Sequence, residues 1–97
     1  MTEVLVLTAV GCHWCADAEA MLARLAREFD LHVTTQSAES EAGRALAMAN
    51  GALFPPVLFV NGVFAQYGRP SERKLRAVLR AAGARASARV FAARGAR

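Results

Sequence analysis

Val4-Leu5-Val6-Leu7-Thr8-Ala9-Val10-Gly11-Cys12-His13-Trp14-Cys15 runs from a continuous apolar stretch, through a short turn, to two cysteines that open a segment of helical periodicity. A helix start leaves N–H groups unpaired and carries a partial positive charge, so a cysteine placed there is pushed toward its thiolate. The i, i+3 spacing sets the second cysteine on the same face, one turn on. Thiolate is the nucleophile of disulfide exchange, so Cys12 is the expected attacking group and Cys15 the resolving one. The chain has only these two cysteines, too few for a disulfide framework or a closed four-cysteine zinc site. A metal site completed by His13 and His32, or a buried apolar cysteine pair, is the plainer alternative. It is disfavoured because His13 lies inside the motif facing solvent, His32 falls near a strand start, and no second C-x-x-C or H-x-x-x-H is present.

Outward from this stretch the hydrophobic periods alternate. Glu3 to Thr8 reads as a strand covered on both faces. Cys15, Ala18, Leu22, Leu25 and Phe29 recur at steps of three and four, predicting a helix over 13–29 with Asp17, Arg24, Arg27 and Glu28 outside. Leu31 to Gln36 is rich in β-branched residues and reads as a second strand. Ser40 is placed to cap a helix through Asn50, with Ala42, Ala45, Leu46 and Ala49 inward and Gly51 as its stop. Val57–Val60 and Val63–Tyr67 flank Asn61-Gly62, a strong two-residue hairpin signal. Ser71 caps a last helix with Leu75, Val78, Leu79 and Ala82 inward, closed by Gly83. The order β-α-β-α-β-β-α predicts an α/β fold with a four-stranded mixed sheet flanked by helices: the βα units give a parallel pair and the hairpin adds antiparallel strands. Cys12 then falls at the C-terminal end of the first strand, where such sheets hold ligands.

Length and charge bound the rest. Ninety-seven residues, 55% of them apolar, make one domain with an adequate core. No stretch is long and apolar enough for a membrane span, and Met1-Thr2-Glu3 lacks the basic start of a signal peptide. A cytoplasmic location is expected, where a C-x-x-C pair serves catalysis rather than structure. Residues 1–68 carry three basic and seven acidic groups, and residues 69–97 nine basic and one acidic. The net +4 is therefore the sum of −4 and +8. The domain is expected over 1–83, followed by a basic Ala/Arg-rich tail over 84–97 whose composition reads as solvated, so that nucleic acid is not expected as a partner.

Cys12-x-x-Cys15 after the first strand, Gly51 five residues before Pro56, and Pro56-Val57-Leu58-Phe59-Val60-Asn61-Gly62 together resemble the thioredoxin-fold superfamily over residues 3–82. The five-residue step from Pro56 to Asn61 is similar to that of its glutaredoxin-like members. The resemblance implies that Pro56 is a cis-proline facing the cysteines, shaping the substrate groove and blocking metal binding by the pair. It also implies that the preceding residue, Pro55, presents its backbone to substrate. Proline has no N–H, so one of the two main-chain bonds relatives offer is absent here. The chain also has Thr8-Ala9-Val10-Gly11 where glutaredoxins carry a basic residue, and Tyr67-Gly68-Arg69-Pro70-Ser71 where they carry Gly-Gly and an acidic residue. Glutathione binding of the usual kind is not expected.

These readings point to a small thiol–disulfide oxidoreductase. Cys12 attacks, Cys15 resolves, and His13 tunes the Cys12 pKa downward, since an imidazolium beside a thiolate favours the charged form. Trp14, Pro55 and Pro56 line the substrate groove. Substrates are disulfide-bearing proteins or small thiols, the electron donor is a reductase or low-molecular-weight thiol, and no cofactor, metal or membrane is called for. Two other classes stand beside this: a glutaredoxin-like iron–sulfur or metal-delivery module using Cys12 with an external thiol, and a non-enzymatic thioredoxin-like interaction domain.

Overall fold

The computed structural model describes residues 1–85; most of the basic tail expected over 84–97 lies outside the described residues. The elements are β1 (Thr2–Thr8), α1 (His13–Leu25), β2 (Leu31–Ser37), α2 (Glu41–Ala49), β3 (Val57–Val60), β4 (Val63–Tyr67) and α3 (Glu72–Ala81). They form one four-stranded sheet in the order β2-β1-β3-β4. β2 lies parallel to β1 in unbroken register from Thr2 beside Leu31 to Thr8 beside Ser37. β3 runs antiparallel to both β1 and β4.

Alternation along β1 sends its side chains to two cores, so the strand is apolar throughout because both faces are covered. Val4 and Val6 face α1 and α3, packing with Met21, Leu22, Leu25, Phe29, Leu75 and Leu79. Leu7 faces the other way with Val57 and Phe59, under Leu46 and Ala47 of α2. The result is a three-layer arrangement with the C-terminal end of β1 emerging between α1 and the loop after α2. Arg76 ties α3 to the turn after α1 through Glu28 at 2.8 Å and also reaches Glu72 at 3.2 Å, while Arg24 of α1 pairs with Glu72 at 2.8 Å.

Three local readings differ in detail. The regular part of α1 ends at Leu25, not at Phe29. Arg27 and Glu28 donate to carbonyls three residues back, tightening the last turn, and Phe29 bonds to the Leu25 carbonyl and stays buried. In α2 the buried face is offset from the expected one: Ala42, Ala45 and Ala49 are exposed, whereas Gly43, Leu46 and Ala47 face the sheet. In so alanine-rich a helix the apolar period marks no face; the approach is set by Gly43, where a Cβ would overlap the Ser37 carbonyl. Finally, Ala84 packs on the core and the Arg85 carbonyl accepts from the Asp30 amide at 2.9 Å, so the packed chain runs past Gly83.

The caps and turn follow the local chemistry. Ser40 Oγ accepts from the Gly43 amide at 3.0 Å and Ser71 Oγ from the Lys74 amide at 3.2 Å. Asn61 and Gly62 have φ of 50° and 80°, both in the left-handed region as a two-residue hairpin turn of the primed type requires. Asn61 also exchanges hydrogen bonds with the Glu3 backbone, its Oδ1 accepting from Glu3 N at 2.9 Å. This fixes the hairpin on β1 and with it the loop entering β3.

Candidate active site

Cys12 is the N-cap of α1, with φ −91° and ψ 111°. Its Sγ accepts from the Cys15 amide at 3.1 Å, so the sulfur takes the place an Asp or Ser oxygen fills in an ordinary cap. A negative sulfur there gains both the hydrogen bond and the helix dipole. Cys12 is half-buried and Cys15 is 4% exposed. The two sulfurs are joined in a disulfide, with their Cα atoms 5.1 Å apart. Access to the pair is therefore through Cys12.

Two surfaces meet at this sulfur. On one side, Thr8, Gly11, His13, Cys15, Ala16 and Glu19 line an open cleft of about 470 Å³ that also reaches Cys12. His13 is exposed at its rim. On the other side the Pro55 carbonyl oxygen lies 3.9 Å from Cys12 Sγ, and the Pro55–Pro56 peptide bond is cis. Pro56 is buried and its carbonyl accepts from the Gly68 amide at 2.9 Å, which joins the proline loop to the turn before α3. The structure thus brings Cys12, His13, Trp14, Cys15, Pro55 and Pro56 to one end of the sheet. His32 is elsewhere, at the opposite end of β2, with Nδ1 2.7 Å from Glu3 Oε1. Among the described residues no cluster of three or more His, Cys, Asp or Glu is arranged to hold a metal ion.

Sequence reasoning passed over the aromatic wall beside the sulfurs. Trp14, 39% exposed, meets Phe54, 49% exposed, at a centroid distance of 5.9 Å, and Phe54 meets Tyr67 at 5.5 Å. Tilted rings at these separations are favourable pairs. The signal for Phe54 was its place one residue before Pro55, on the loop that must face the motif. Tyr67 read only as the end of a strand, and its role follows from the hairpin folding back. Leu53 is also largely exposed beside Phe54, which extends the apolar surface along the loop.

Taken together, a mixed sheet flanked by three helices, with an oxidised C-x-x-C at the start of the first helix opposite a cis-proline, is a thioredoxin-like fold. Solved structures agree. The chain is similar to a point mutant of thioredoxin from Halobacterium salinarum, at 25% identity over 82% of this chain and 73% of that one, with a TM-score of 0.60. It is similar in fold to oxidised thioredoxin O2 from Arabidopsis thaliana, at 16% identity over 84% of this chain and 74% of that one, with a TM-score of 0.61. No protein-family model matches the chain, and no curated protein matches it significantly. Among the described residues no helix is long and apolar enough to cross a membrane.

Proposed function

We propose that the protein is a thiol–disulfide oxidoreductase in which Cys12 is the nucleophile and Cys15 the resolving thiol. The observation that carries this is the unequal placement of the two sulfurs: Cys12 caps α1, accepts an amide hydrogen bond and is reachable, while Cys15 is buried behind it. In the reduced protein the Cys12 thiolate attacks a substrate disulfide and expels one substrate thiolate, which takes up a proton. Cys15 gives up its proton and attacks Cys12 Sγ, releasing the second substrate thiol and leaving the Cys12–Cys15 disulfide. An external dithiol or reductase returns two electrons, and one proton goes back to Cys15, leaving Cys12 as the thiolate. His13 favours the thiolate of Cys12. Trp14, Pro55 and Pro56 receive the segment that carries the substrate disulfide.

Substrate and donor follow from the same surface. The apolar wall formed by Trp14 and Phe54 suits a protein segment, and Pro55 offers an acceptor without a donor, which weakens any glutathione-like partner that needs both. Protein disulfides, with a reductase-type donor, are the substrate and partner we assign. A reducing, cytoplasmic compartment is the setting in which such a pair cycles. Trapping tests this: Cys15→Ser should accumulate a mixed disulfide with an oxidised protein substrate, and Cys12→Ser should form none. Accumulation with Cys12→Ser instead would reverse the roles, and turnover surviving loss of both cysteines would remove the function.

A further inference from the structure

β2 is an edge strand with nothing on its outer side among the described residues. Its seven residues, Leu31-His32-Val33-Thr34-Thr35-Gln36-Ser37, hold unbroken register with β1 and include no Pro, no Lys and no bulge. These are the devices that normally blunt an exposed edge. The strand carries one ionisable group, His32, which is paired with Glu3 of its own sheet. Beside the edge, Leu22 and Ala23 of α1, Ala26 at its C-cap, and Leu31, Val33 and Thr35 of β2 line an apolar cleft of about 400 Å³. Val33, 37% exposed, sits at its middle.

The charges flanking this cleft are complementary under a two-fold rotation. Glu19 lies at the Thr35 end of the cleft. Arg27 lies in the tightened turn just past the end of α1, next to Ala26 at the Leu31 end, and both side chains are exposed. Neither is in an ion pair among the described residues. The six helical steps from Glu19 to Leu25 cover about 9 Å and the two steps of tightened turn to Arg27 about 4 Å, against about 13 Å for the four steps from Leu31 to Thr35, so the two charges stand level with the two ends of the strand segment. The midpoint of the helix stripe is Ala23 and that of the strand is Val33.

We propose that the β2 edge pairs with the β2 edge of a second copy of this chain, antiparallel about Val33, to make a symmetric dimer with a continuous eight-stranded sheet. Val33 meets Val33 of the second copy, Leu31 meets Thr35, and His32 meets Thr34, so no like charges stand opposite one another. Strands pair at about 4.8 Å, which sets helices lying over the two β1–β2 seams about 10 Å apart, close to helix-packing distance. The small Ala23 permits that approach, and Glu19 of each copy faces Arg27 of the other. Pro55 and Trp14 are not among the residues at this edge, so the proline side of the redox site stays open, whereas Glu19 lines both the edge cleft and the cleft that reaches Cys12. The inference is independent of the redox reading.

Sedimentation of the full-length reduced chain from micromolar to millimolar concentration tests it. A reversible monomer–dimer equilibrium is expected, and Val33→Lys, which sets two lysines face to face on the axis, should leave only monomer. Glu19→Arg alone and Arg27→Glu alone should each weaken the dimer about tenfold. An equimolar mixture of those two variants should restore association as a heterodimer, because each then faces its opposite charge. That recovery also shows that both variants are folded. A parent chain monomeric at every concentration, a dimer indifferent to Val33→Lys, or a mixture no tighter than the separate variants would overturn the proposal.

Discussion

The Cys15 amide donates to Cys12 Sγ at 3.1 Å. This bond makes a cysteine the cap of α1, and it strengthens when the sulfur is a thiolate. Cys12 should therefore titrate well below the ~8.5 of a free thiol, while Cys15, buried at 4% exposure, should be slow to react. Alkylation rate against pH on Cys12→Ser and Cys15→Ser checks both. A faster thiol at position 15 at neutral pH would overturn the assignment of roles.

His13 is exposed at the rim of the cleft that both cysteines border. A positive imidazolium there stabilises the thiolate of the reduced protein and does nothing for the uncharged disulfide. His13→Ala is expected to raise the Cys12 pKa and make the pair more reducing. The measurement is the equilibrium with a glutathione or dithiothreitol redox buffer. An unchanged potential would mean that His13 is only a solvated surface residue.

Gly43→Ala separates packing from helix propensity. In an isolated helix this change stabilises by about 1 kcal/mol. Here a Cβ would overlap the Ser37 carbonyl and press on Ser40 Oγ, so overpacking costing roughly 1–3 kcal/mol should prevail. The urea midpoint is expected to fall with the slope unchanged.

The order of elements, the hairpin and the motif were legible because each rests on local chemistry. Asn61-Gly62 demands its turn, Ser40 and Ser71 cap their helices, and an apolar run such as Val4–Leu7 needs cover on both faces. The face of α2 was not legible, since Ala42, Ala45, Ala47 and Ala49 are equivalent in hydrophobicity and only the close approach at Gly43 distinguishes them. The end of α1 was misplaced for a related reason: Phe29 keeps the period by side-chain burial although the backbone has already turned. The aromatic wall beside the sulfurs unites Trp14, Phe54 and Tyr67 from three separate segments, a contact that sequence spacing does not encode.

Acid should weaken the α1–α3 clamp. A side-chain hydrogen bond from Arg76 holds Glu28 below its usual 4.5, and one from Arg24 does the same for Glu72. Carboxyls lowered in the folded state contribute stability that is present above the unfolded value near 4.5 and is lost as pH falls through the lowered values. Arg76→Met keeps the aliphatic packing and removes the charge. The variant should melt below the parent at neutral pH, and the gap should close once both carboxyls are protonated. A gap that stays constant across that range would show that Arg76 acts through packing alone.

Pro55 presents its carbonyl 3.9 Å from Cys12 Sγ and has no N–H to present beside it. A ligand lying along this loop in an extended form finds an acceptor where a strand-like pairing needs an acceptor and a donor. Losing one such bond costs about 1–3 kcal/mol, or roughly one to two decades in affinity. Poor turnover is therefore expected in a glutathione-coupled assay, with better reduction of a protein disulfide when dithiothreitol or a reductase supplies electrons. Pro55→Val restores the donor while leaving Pro56 and the cap of α1 in place, so it should improve glutathione use and leave the Cys12 pKa close to its parent value. A gain in glutathione turnover accompanied by an equal fall in that pKa would trace the effect to the nucleophile. If the parent already uses glutathione efficiently and Pro55→Val changes nothing, the ligand reaches Cys12 from the cleft beside His13 and Glu19 rather than along the proline loop.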